Sequence, residues 1–83
     1  MDHPYIVHIL ELLYDDYNIY FVAELMEHGD LMSVYQRIVE NNWSFTEQDA
    51  KNICKQILMA LNYMHQQDYI HRDLKLENVM VDV

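Results

Sequence analysis

Apolar and polar residues change rhythm several times along the chain, and each change marks an element. From Tyr5 to Tyr14 most residues are Ile, Val or Leu, with His8 and Glu11 among the exceptions. Asp15, Asp16, Tyr17 and Asn18 interrupt this run with turn-forming residues. Ile19 to Leu25, reading IYFVAEL, is β-branched and aromatic again. Two short strands around such a turn predict a β-hairpin.

Beyond Gly29 the period becomes helical. Leu31, Val34, Tyr35, Ile38 and Val39 recur at the spacing of one helix face, and Asp30 before them can accept hydrogen bonds from the free N–H groups of the first turn. Asn41 and Asn42 end this helix. Trp43 and Phe45 follow in a connection, where their rings are expected to pack on the core. Thr46 with Asp49 forms a capping box in which Asp replaces the usual Glu. The second helix is expected to run to about Gln67, with Ile53, Ile57, Leu58, Leu61 and Met64 on its apolar face. Tyr69–His71 and Val79–Val81 read as two very short strands on either side of a polar loop.

Composition narrows the function. The chain has 83 residues, 52% of them hydrophobic, with one Gly, one Pro and one Cys. It is ordered by composition but small, and a small chain buries a modest share of its surface. A net charge of −9 argues against a nucleic-acid backbone as partner. Most of the carboxylates read as a solvated acidic surface. A lone cysteine, Cys54, forms no internal disulfide and fits a reducing compartment. It is expected to act as a small buried hydrophobe, and the methionines as core filler. No apolar run reaches membrane-spanning length, and the N-terminus lacks the basic region of a signal peptide. A cytoplasmic protein in one continuous piece is expected. His3, His8, His28 and His65 have no metal-ligand spacing.

The chemistry is concentrated in IHRDLKLENVMVDV, from Ile70 to Val83. An aspartate such as Asp73 can orient a hydroxyl and accept its proton. Lys75 can neutralise a phosphate oxygen as a compact point charge. The side-chain carbonyl of Asn78 is a hard oxygen ligand suited to Mg²⁺ beside phosphates. Together they describe transfer of a phosphoryl group to an alcohol, a reaction that depends on positioning and charge stabilisation.

His71-Arg72-Asp73-Leu74-Lys75-Leu76-Glu77-Asn78 resembles the catalytic loop of eukaryotic protein kinases. Lys75 is the residue expected of the serine/threonine kinases. Leu76 departs from the commoner Pro, as it does in some calcium/calmodulin-dependent kinases. The resemblance extends along the whole chain. His3-Pro4-Tyr5-Ile6-Val7 resembles the H-P-N-I-V turn before the fourth strand of the N-lobe. NIYFVAELMEHGDL resembles the fifth strand, the hinge and the start of the next helix.

The resemblance implies an α+β, partial kinase fold. Residues 1–25 would be the end of the N-lobe, and residues 26–83 the start of the C-lobe through the catalytic loop. It implies ATP and Mg²⁺ as cofactors. Asp73 and Lys75 would be catalytic, and Asn78 a metal ligand. The implied nucleotide-binding residues are Ala23, Glu24, Met26, Asp30, Glu77, Asn78 and Met80. Within that set Glu24 and Met26 would offer backbone groups to adenine, and Ala23 falls at the gatekeeper position. Asp30 lies near the ribose and Met80 under the adenine ring. Ile9 and His71 match two members of the hydrophobic spine, which gives His71 a structural role. Arg72 matches an arginine that pairs with an activation-loop phosphate. The spacing of hairpin, hinge and long helix suggests the calcium/calmodulin-dependent group.

The implied partner is a protein substrate. Glu77 and Asp30 either read a basic residue near its target Ser or Thr, or are simply loop and cap residues. No nucleic acid and no membrane are expected as partners.

The Gly-rich phosphate loop, the lysine of the third strand and the magnesium-binding Asp-Phe-Gly do not occur in these residues. The resemblance therefore implies a fragment that needs the remainder of a kinase domain for activity. The alternative is a truncated, non-catalytic binding module or decoy.

Overall fold

The structure is a computed structural model that describes residues 2–82. Two antiparallel strands come first, β1 (Ile9–Tyr14) and β2 (Ile19–Ala23). Asp15 organises the turn between them. Its Oδ1 accepts the backbone N–H groups of Tyr17 at 2.8 Å and Asn18 at 2.7 Å, and its Oδ2 accepts the Tyr20 hydroxyl at 3.0 Å. These donors hold the Asp15 carboxyl below the ordinary carboxylate range, the Tyr17 N–H contributing most. Tyr14 pairs with Ile19 and Ile9 with Ala23, and the register shifts between Ile9 and Glu11.

The first strand is shorter than the apolar run predicts. Pro4 and Tyr5 lie in a turn, closed by the Ile6 N–H on the His3 carbonyl at 3.2 Å. Proline fixes its own φ and has no N–H for a ladder. The second strand stops at Ala23, because Glu24 and Leu25 already belong to the connection towards α1.

Helix α1 (Leu31–Glu40) is capped by Asp30 and ends at Asn41. Asn42 takes φ 54°, a left-handed conformation that asparagine tolerates. Helix α2 (Glu47–Gln66) starts on the expected capping box. Thr46 Oγ1 accepts the Asp49 N–H at 3.1 Å, and Asp49 Oδ2 accepts the Thr46 N–H at 2.9 Å. A 3₁₀ turn (Leu76–Asn78) follows in the loop, lying against α1.

Several expected burials do not occur. Among the described residues only Leu31 and Ala60 are buried. The accessible surface is 7117 Å², against about 5,300 Å² for a compact monomer of this mass. Leu58 is 63% exposed although the period places it on the apolar face. Cys54 is exposed rather than buried. Met59 and Met80 are exposed too, so they do not fill a core. Trp43 is exposed, while Phe45 meets Tyr35 edge-on at 5.9 Å. The apolar periods are real, but the described residues supply too few opposing faces to cover them. Tyr69–His71 is not a strand. Of Val79–Val81, Met80 alone forms a bridge, antiparallel to Asp30.

Candidate functional site

The polar loop folds around Asp73. Arg72 before it takes φ 72°, turning the chain sharply. The Asp73 backbone N–H donates to His71 Nδ1 at 3.1 Å, so His71 supports the loop from within. Asn78 Nδ2 donates to the Asp73 carbonyl at 2.8 Å and to Asp73 Oδ2 at 3.3 Å. Lys75 Nζ lies 3.7 Å from the same Oδ2. The 3₁₀ turn brings Asn78 back, with its own N–H on the Lys75 carbonyl at 2.9 Å. All three side chains are exposed, so a substrate can reach them.

This arrangement leaves useful atoms free. Asn78 spends its amide N–H groups on Asp73, while its Oδ1 accepts no hydrogen bond from the described residues. A free carbonyl oxygen beside a carboxylate fits a hard cation such as Mg²⁺. Among the described residues no three His, Cys, Asp or Glu side chains cluster as metal ligands. Asn78 Oδ1 is therefore the oxygen in this loop that stays open to a ligand, as the sequence assignment of Asn78 requires.

The loop is tied to the connection between β2 and α1. The Leu31 N–H donates to the Val79 carbonyl at 2.7 Å, and the Val81 N–H to the Gly29 carbonyl at 2.9 Å. These bonds flank the Asp30–Met80 bridge and set two of the sequence-assigned residues opposite each other. Gly29 takes φ 75°, a conformation glycine adopts without penalty. At the other end of the connection, Glu24 exchanges backbone and side-chain bonds with His8. Its N–H donates to the His8 carbonyl at 3.2 Å, and its Oε1 accepts the His8 N–H at 3.0 Å. Among the described residues, the Glu24 carbonyl and the Met26 N–H remain without hydrogen-bond partners.

A cavity of about 790 Å³ opens beside this connection. Glu24, Met26 and Met80 line it, together with Leu31, Ile57 and the His3–His8 segment. Ala23, Asp30, Glu77 and Asn78 do not line it. Most of the sequence-assigned residues form two groups: Glu24, Met26 and Met80 border the cavity, and Asp73, Lys75 and Asn78 gather in the polar loop, while Ala23, Asp30 and Glu77 belong to neither. Glu77 is exposed on the 3₁₀ turn and Ala23 ends β2 opposite Ile9.

Asp30 has a structural task besides any contact with a ligand. Its Oδ2 accepts the Ser33 N–H at 3.3 Å and its Oδ1 the Ser33 hydroxyl at 2.6 Å. The Ser33 hydroxyl is the main reason that the Asp30 carboxyl sits below its ordinary value, with partial burial acting the other way. A carboxyl lowered on folding adds stability above its unfolded pKa, and that stability is lost as pH falls through the folded value. Ser33→Ala should therefore flatten the acid limb of α1 unfolding below the usual aspartate range. Helicity followed by circular dichroism against pH checks this; superimposable acid limbs would count against it.

Sequence reading did not single out Ser33 or Arg37. Ser33 carried a signal, lying three residues after the capping aspartate. Arg37 carried only its place in the last turn of α1, yet its Nη2 donates to the His28 carbonyl at 2.7 Å.

Comparison with known proteins shows the family to which the chain belongs. The protein kinase domain family matches residues 1–83. A calcium/calmodulin-dependent protein kinase type 1 of Macrobrachium nipponense is 42% identical over 80 residues, covering 96% of this chain and 22% of that protein. Cyclin-dependent kinase F-4 of Oryza sativa subsp. japonica is 42% identical over 81 residues, covering 98% of this chain and 17% of that protein. A MAP kinase-interacting serine/threonine-protein kinase of Caenorhabditis elegans is 42% identical over 79 residues, covering 95% of this chain and 11% of that protein. The chain belongs to the protein kinase domain family, on its serine/threonine side, and its α+β architecture is a partial kinase fold. It spans less than a quarter of the length of these relatives. Three kinds of kinase share one level of identity with it, so identity alone does not select among them.

Proposed function

We propose that these residues are the hinge and catalytic-loop part of an enzyme that transfers the γ-phosphate of ATP to a protein Ser or Thr hydroxyl. The observation that carries this reading is the grouping of Asp73, Lys75 and Asn78, with Lys75 3.7 Å and Asn78 3.3 Å from one Asp73 oxygen. Residues 1–25 belong to the N-lobe and residues 26–83 to the C-lobe. Adenine is held by the free Glu24 carbonyl and Met26 N–H, above Met80. Asp30 keeps lone pairs for a ribose hydroxyl beyond those that Ser33 uses.

In the reaction, Asp73 Oδ2 orients the substrate hydroxyl and takes its proton. Lys75 turns from Asp73 towards a phosphate oxygen and offsets its charge. Asn78 holds the Asp73 backbone in place through Nδ2 and presents Oδ1 to Mg²⁺. When bound, magnesium neutralises the phosphate oxygens and fixes their orientation. No sequence-distant base is needed, because the aspartate, the lysine and the asparagine come from one loop. The chemistry draws on the ATP pool of the cytoplasm, where we place the protein.

The 83-residue chain should not perform this reaction by itself. With a single glycine it cannot build a Gly-rich phosphate loop, and neither Phe21 nor Phe45 belongs to an Asp-Phe-Gly. A radiolabelled-ATP assay on the purified chain is expected to show no more transfer than Asp73→Ala. Robust Asp73-dependent transfer would overturn that expectation. The reading itself is tested in a chimera in which the 83 residues replace the matching segment of the Macrobrachium kinase. Transfer to Ser or Thr peptides supports it; a folded chimera that transfers nothing counts against it.

A second reading, a non-catalytic binding module, is favoured by the exposed apolar surface. Leu10, Leu12, Ile19, Phe21 and Leu58 are all more than half exposed. Four of these lie on the hairpin, and apolar surface left open on so small a sheet is the kind that a partner covers. The folded but inactive chimera is the result that would favour it.

A further inference from the structure

Between Met26 and Asp30 the chain makes a tight turn, closed by the Gly29 N–H on the Met26 carbonyl at 3.1 Å. The residues on either side of this turn are the ones assigned to the nucleotide. Glu27 and His28 at its apex are exposed, and exposed turns with few partners open readily. One side chain reaches it from outside. Arg37, two turns along α1, donates from Nη2 to the His28 carbonyl at 2.7 Å. This is a short, charge-assisted bond. Arg37 is itself anchored, since its carbonyl accepts the Asn41 N–H at 3.1 Å and Asn41 Nδ2 at 2.7 Å. The next residue after His28, Gly29, passes the restraint on. Its carbonyl accepts the Val81 N–H beside the Asp30–Met80 bridge.

We propose that Arg37 is a positioning residue for nucleotide binding: through the His28 carbonyl it fixes the turn that aligns Met26 with Asp30 and Met80. It touches neither nucleotide nor reacting atoms. The inference rests on the phosphoryl-transfer reading and adds a residue to it. Arginine suits the task because its charge persists at any physiological pH and its planar head loses little freedom on bonding. A lysine could reach the carbonyl with one donor but would hold it less rigidly.

Two measurements test this. In the 83-residue chain, amide hydrogen exchange is followed at Gly29 and Val81 for the unsubstituted chain, Arg37→Ala and Arg37→Lys. Faster exchange at these two amides in Arg37→Ala, with α2 unchanged and Arg37→Lys in between, is expected. In the kinase chimera, Arg37→Ala should raise KM for ATP about tenfold, near the low end of what a hydrogen bond to a charged group contributes, because Arg37 acts through the turn rather than on the nucleotide. The kcat and the peptide KM should stay within about twofold, and Arg37→Lys should recover part of the ATP effect. Uniformly faster exchange with an unchanged ATP KM would make Arg37 a merely structural residue and overturn the proposal, as would unchanged exchange. An unsubstituted chimera that folds but transfers no phosphate would sink the phosphoryl-transfer reading, and the proposal with it. An active chimera whose ATP KM ignores Arg37 sinks the proposal alone.

Discussion

Asp73→Asn in the kinase chimera is expected to lower kcat by about 10²–10⁴-fold, the range that a positioned general base supplies. Asparagine has nearly the shape of aspartate but cannot take up a proton at neutral pH. It also removes the negative charge that Lys75 Nζ faces at 3.7 Å, so the lysine loses its resting partner. The Asp73 carbonyl is backbone and survives, so Asn78 Nδ2 keeps its 2.8 Å bond and the loop keeps its path. KM for ATP should therefore change little, because no adenine or ribose contact involves this side chain. Steady-state kinetics with a Ser/Thr peptide, alongside a melting curve to confirm folding, separates the two quantities. Retention of most of the kcat would remove Asp73 from the role of base. A large rise in ATP KM at constant kcat would instead make it a binding residue.

Asn78 should be nearly as sensitive, with an informative order among its variants. Asn78→Ala loses the tether to Asp73 and the free oxygen together, and about a 10²-fold loss of activity is expected, at the upper end for groups that orient a metal site. Asn78→Asp keeps an oxygen ligand. It gives up both N–H donors and sets a second carboxylate where an amide stood 3.3 Å from Asp73 Oδ2. Two such carboxylates cannot both ionise freely without a cation between them. Asn78→Asp should consequently be weak at low Mg²⁺ and recover part of its activity as Mg²⁺ is raised. Asn78→Ala should recover much less. Activity measured against free Mg²⁺ tells these apart. Identical curves for the two variants would mean that Asn78 acts only as a loop tether.

Much of the site could be read from the sequence because it is local. Asp73, Lys75 and Asn78 lie close together in one loop, and the proposed chemistry follows from their residue types. The same holds for Thr46 and Asp49, whose reciprocal bonds span three positions. The hairpin was legible because its turn is built from Asp15 and its neighbours alone. What could not be read depends on distant partners. Nothing in the periodicity of α2 says that Leu58 and Cys54 face open solvent among these residues. A helix period reports which side is apolar, not whether a partner covers it. Tyr69–His71 looked strand-like by composition, yet a strand needs a ladder partner. The Arg37 bond joins positions nine apart across a turn, and no spacing rule announces such a pair.

The Asp30–Met80 bridge has a kinetic consequence. Its two residues are fifty positions apart, whereas the hairpin closes over a four-residue turn. Loop-closure entropy makes the distant pairing costlier to initiate, and non-local contacts form late as a rule. Hairpin and helices can therefore appear while the two halves of the proposed nucleotide site are still apart. The connection after β2 and the polar loop are expected to come into register in one late step, when Leu31 and Val81 make their bonds. A folding intermediate of this chain would carry most of its secondary structure and no binding site, so recovery of ligand affinity would lag behind recovery of helicity.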